Sequence, residues 1–104
     1  MVVVTTDFVS GKTIETLGTV TGCMVQAKHI GKDIKASFKS VIGGELRPYT
    51  EMMEEAHVAA LARMKENARG LNADAVINTR YVIASGGTSE AMMVFVSGTA
   101  VKFV

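Results

Sequence analysis

The spacing of apolar residues changes twice along the chain, dividing it into a strand-rich start, a helical middle and a strand-rich end. The opening MVVVTT is β-branched, and a turn follows at Ser10-Gly11-Lys12. Residues 13–17 and 19–27 then read as extended segments broken by Gly18 and Gly22. From Ile30 the period shifts. Ile30, Ile34, Phe38, Val41 and Ile42 fall within about 120° on a 3.6-residue wheel, and Lys32, Lys35 and Lys39 fall opposite them. This predicts a short amphipathic helix, closed at Gly43-Gly44 where a residue with positive φ is needed.

A second, longer helix is predicted from Pro48, whose missing N–H suits a first-turn position. Glu51, Glu54 and Glu55 are expected in its first two turns, where they complement the positive end of the helix dipole. Tyr49, Met52, Met53, Ala56, Ala60 and Met64 make one apolar stripe. Val58 and Ala62 lie behind it, so this helix is expected to be covered on more than one side. Arg69 suits the last turn, and Gly70 or Asn72 could take the left-handed position beyond it.

Residues 74–84 and 90–104 return to strand around a glycine-bearing loop, 85–89, of hairpin length. In the last strand Met92, Val94, Val96 and Ala100 point one way, and Met93, Phe95, Val101 and Phe103 the other. Both faces are apolar, and two helices in the chain leave the second cover to another subunit. The prediction is an α+β fold in one domain, 1–104. Its sheet is small and mostly antiparallel, and the element order is strands, short helix, long helix, strand hairpin.

Composition strengthens the expectation of an assembly. Of 104 residues 48% are hydrophobic and 20% charged, a high apolar load for a chain that builds one core. The longest stretch without a charge, residues 16–27, is short of the ~20 residues of a membrane span. MVVVTTDF has no basic n-region, so no signal peptide is expected. Cys23 has no intramolecular disulfide partner, which fits a cytoplasmic protein. Ten acids against eleven bases give net +1 and no electrostatic case for nucleic acid or an anionic membrane.

Candidate chemistry is sparse. Cys23, His29 and His57 show no paired ligand spacing, so one chain does not assemble a four-ligand zinc site from them. In a ring, symmetry would repeat one Cys23 thiolate into several; the alternative is an inert thiol packed in a strand. Glu54-x-x-His57 has the carboxylate–imidazole spacing of di-iron bundles and would present both side chains on one side. It occurs once where those bundles need two, and a solvated polar edge of the helix is the commoner explanation. The Lys28, Lys32, Lys35, Lys39 stripe suits an acidic partner or a solvated face. Residues 85–89 join two strands and open no helix, unlike a phosphate loop. No nucleophile sits near a base, and Asp33, Tyr49 and Arg63 would need a pocket to make an enzyme.

Several strings, in this order, resemble the YbjQ-like proteins, small uncharacterised proteins that carry a heavy-metal-binding label. They are Val20-Thr21-Gly22; Ile30, Asp33 and Ala36; Ile42-Gly43-Gly44 with Tyr49; Ala68-Arg69 and Leu71; Ala73-Asp74-Ala75-Val76; and Val96-Ser97-Gly98-Thr99-Ala100-Val101. The resemblance spans nearly the whole chain and implies an α+β subunit in a homopentameric ring. Asn72 stands where relatives usually have Gly, which makes it the expected left-handed residue. Cys23 and His57 stand at positions often charged in relatives, so they are features of this chain. Two functions follow as expectations. One is a non-enzymatic homo-oligomer binding a soft or heavy metal ion or a small ligand at subunit interfaces, with Cys23, His57 and Glu54 as candidate metal ligands. The other is an interaction module that shows its lysine-rich helix face to an acidic partner.

Overall fold

A computed structural model describes residues 1–27, 44, 47–86 and 91–104. The predicted helix over residues 30–42, the lysine stripe, His29, Asp33 and residues 87–89 of the predicted loop lie outside the described residues. Four strands form one sheet in the order β1-β3-β4-β2. They are β1 (Val2–Val3), β2 (Ile14–Ala27), β3 (Ala75–Gly86) and β4 (Ala91–Phe103). β1 pairs parallel with β3, and the other two ladders are antiparallel. Helix α1 (Arg47–Gly70) packs on one face of the sheet, above β2 and β4. Strands of 12–14 residues are about 40–46 Å long, and they give the molecule its 54 × 28 × 18 Å shape. This is the expected α+β, mostly antiparallel arrangement.

The predicted break at Gly22 is absent. β2 runs through it unbroken, with one bulge between Thr16 and Gly18. Gly22 serves a different need. A Cβ there would lie far inside van der Waals contact distance of the Ala60 carbonyl oxygen and 2.6 Å from the Met64 nitrogen, so the backbone of α1 rests directly on the strand. The helix makes this approach with a ridge spaced by four residues: Met52, Ala56, Ala60, Met64 and Ala68 are all buried. The alanines let the backbones close in, and each methionine contributes about 1.5–3 kcal/mol by leaving water. Opposite them lie Val20, Val94, Val96 and Ala100.

Both ends of α1 have local causes. At its start Arg47 and Pro48 occupy the first turn, which holds no acid, so the three glutamates fall further along than expected and complement the dipole less. At its end Asn72 adopts φ 58°. The Ala73 N–H donates to the Ala68 carbonyl (3.1 Å) and the Asn72 N–H to the Arg69 carbonyl (2.9 Å), a Schellman closure around the expected residue. Asp74 then ties the helix exit to β4: its Oδ2 accepts the Phe103 N–H at 2.8 Å, with Lys102 Nζ 3.9 Å away.

The second face of the sheet departs from expectation at one end. Val101, Ala75 and Ile77 are buried there by the chain's own residues Val4, Val9 and Ile14, and Phe103 packs with them. No second subunit is needed at that end. The covering segment is held by backbone bonds to β3, from Val4 to Val76 and from Asn78 to Thr6, at a bulge where Asn78 has φ 51°. Gly98 faces this bulge, and a Cβ on it would meet Val76 Cγ1 at 2.5 Å. The Ala75-Val76 and Gly98 to Val101 strings of the family resemblance are thus two sides of one close contact.

Gly22→Ala should lower unfolding stability by about 3 kcal/mol, because the neighbours it meets are backbone atoms that relax only if the helix lifts. Urea denaturation measures this. A loss under about 1 kcal/mol would show that the helix is free to rise.

Candidate functional site

Two regions bring chemistry-bearing side chains together, on opposite faces of the sheet. The first is a groove of about 210 Å³ between α1 and β3. It exists because α1 lies over β2 and β4, leaving the helix-side residues of β3 uncovered: Tyr81 is 40% exposed and Ile83 57%. Met53, Val94 and Ile83 line its apolar part. Glu54 and His57, one turn apart on α1, reach it from above. The His57 and Tyr81 rings meet nearly at right angles (82°), with centroids 4.7 Å apart. The sequence places Glu54 and His57 on one side of the helix, as found. Tyr81, the third wall, comes from a strand that sequence spacing does not connect to them.

The second region is the outer sheet face, which holds Cys23. Because Gly22 faces the helix, Cys23 faces away from it, and cross-strand pairing sets it in a row with Phe95 and Val82. The next row is Val25, Met93 and Ala84. Val25 is 60% exposed and Val82 53%, while Met93, Phe95 and Cys23 are half-buried. Towards the covered end the face turns polar, with Thr21, Ser97 and Arg80 in one row and Thr19 and Thr99 beyond. Cys23 thus stands on the border between an apolar patch and a polar band.

Cys23 and the Glu54–His57 pair therefore lie on different sides of the sheet within one chain. Among the described residues no group of three His, Cys, Asp or Glu side chains gathers as a metal site would require. Arg63 donates to the Cys23 carbonyl, and Asn67 Nδ2 donates to the Thr21 carbonyl at 2.8 Å. These two side chains, four residues apart on α1, cap carbonyls along β2, an edge of the sheet. Val58 and Ala62 lie exposed on the far side of α1, beside Glu51, Glu54 and Glu55. No helix among the described residues is long and apolar enough to cross a membrane.

The full length of this chain, residues 1–104, matches the YbjQ family model, described as "Putative heavy-metal-binding". The chain belongs to the YbjQ family. It is 50% identical to a UPF0145 protein of Alkaliphilus metalliredigens, covering 100% of both chains. A UPF0145 protein of Clostridium novyi is likewise 50% identical with 100% of both covered. Among solved structures, it is similar to a protein of unknown function of the DUF74 family from Pediococcus pentosaceus. The TM-score is 0.69 at 16% identity, over 100% of this chain and 98% of that one. The last likeness shows that the YbjQ chain shares that protein's fold.

The groove geometry has a direct spectroscopic readout. Tyr81→Leu should move the His57 ring-proton resonances by removing the neighbouring ring current, whereas Tyr81→Phe should leave them nearly in place; equal spectra for both variants would show that the rings do not touch in solution.

Proposed function

We propose that this YbjQ protein is a non-enzymatic, cytoplasmic homo-oligomer, a homopentameric ring, that binds a soft or heavy metal ion or a small ligand where its subunits meet. The observation that carries this reading is the outer sheet face. Two cross-strand rows of apolar residues, Cys23-Phe95-Val82 and Val25-Met93-Ala84, have no cover among the described residues. A second copy laid on this face would bury them and bring the thiol of Cys23 into the interface. With that thiol near the symmetry axis, closed symmetry brings one from each subunit together, which supplies the ligand number one chain lacks. Sulfur as donor favours Cu(I), Zn(II) or similar soft ions. The family description points to the same chemistry.

Titration of the wild-type protein with Zn(II) or Cu(I) should saturate at a fixed metal-to-subunit ratio, and Cys23→Ala should lose that binding. Equal binding by both proteins removes Cys23 as a ligand. Assembly has its own test. Val25→Lys with Val82→Glu puts two charges into the proposed contact and should weaken association at least about 100-fold, from the cost of desolvating them. Light scattering on dilution reads this, and a wild-type protein that is monomeric throughout would contradict the ring.

A further inference from the structure

We infer that the groove between α1 and β3 is a binding site for an organic cation, an alkylammonium or guanidinium group. This goes beyond the metal-binding reading, since the groove is built within one chain and does not contain Cys23.

Three features define the occupant. The first is charge: Glu54 is exposed at the mouth, and no described side chain forms an ion pair with it. Glu51 and Glu55, close by on the same helix, also have no such partner, so the described charges on this stretch of the helix are negative. The second is the aromatic corner. Tyr81 and His57 pack edge to face with centroids 4.7 Å apart, Tyr81 stays 40% exposed beside that contact, and a cation held against an exposed tyrosine face is drawn by its negative quadrupole. The third is the apolar floor of Met53, Ile83 and Val94, which accepts the methyl or methylene groups of an organic cation but offers nothing to a hydrated inorganic one. At about 210 Å³ the groove is smaller than the roughly 300–1,000 Å³ of sites for drug-sized ligands, so it takes a head group. An anion would meet Glu54 with no described Lys or Arg in the lining to offset it.

Such a group could come from a free amine or from a Lys or Arg side chain of a second copy. Choline and its uncharged isostere 3,3-dimethylbutan-1-ol distinguish charge from greasiness. Titrated into the intact protein and followed by the His57 and Tyr81 ring resonances, choline should bind about tenfold more tightly than the alcohol. Glu54→Gln should erase most of that preference, and Tyr81→Leu should reduce it while Tyr81→Phe retains it. Glu54 and Tyr81 are both surface-exposed, and an unchanged backbone spectrum certifies that each variant is folded. Cys23→Ala should bind choline as the wild type does, which separates this site from the metal-binding reading. A dilution series without added amine distinguishes the sources. Resonance changes that follow protein concentration assign the cation to a neighbouring copy, and changes only on adding choline assign it to free solute. Equal affinity for choline and the alcohol, or no response at either ring under any of these conditions, overturns the inference.

Discussion

The backbone contact between the Ala60 turn of α1 and Gly22 of β2 governs the rest of the molecule. Two polypeptide backbones come this close only where both side chains are nearly absent. Gly22 supplies that on the strand, and Ala56 and Ala60 on the helix. Once the helix is seated there, its axis lies over β2 and β4, and β3 stays outside its shadow. The groove beside Tyr81 and the reach of Arg63 and Asn67 to carbonyls of β2 both follow from where that contact places the helix.

Cover on the two faces of the sheet is shared unequally. One face receives the helix. The other receives the short segment before β2, which reaches only as far as Ile77 and Val101 before the chain turns into β2. Beyond it lies a polar band of threonine, serine and arginine, and beyond that the apolar rows around Cys23 and Phe95. A polar band between two apolar regions separates the chain's own core from the half-exposed apolar rows around Cys23. The long strands make this separation possible, because a shorter sheet would leave no length outside the reach of the N-terminal cover.

The parts of this arrangement that depend on neighbours in sequence were legible beforehand. Asn72 as the left-handed helix end, the alternation of β4, the methionine and alanine stripe, and the shared side of Glu54 and His57 all follow from fixed local periods. Gly22 departs from the expected break because a glycine in a strand has two meanings, a break or a close approach, and only the partner decides between them. The bond from Arg63 to the Cys23 carbonyl is likewise set by the fold, since an exposed guanidinium bonds to whatever acceptor the tertiary structure places within reach.

By itself, then, the amino-acid sequence determined the family, the order of the described elements, and which residues of each of these strands and of the helix share a face. Those properties come from backbone geometry that repeats every two or 3.6 residues. Only the tertiary structure decided which face the helix would cover, that residues 4–14 would close one end of the other, and that Tyr81 would stand against His57. These depend on contacts between residues far apart in the chain, set by side-chain volume at a few points of closest approach, and no local period encodes them.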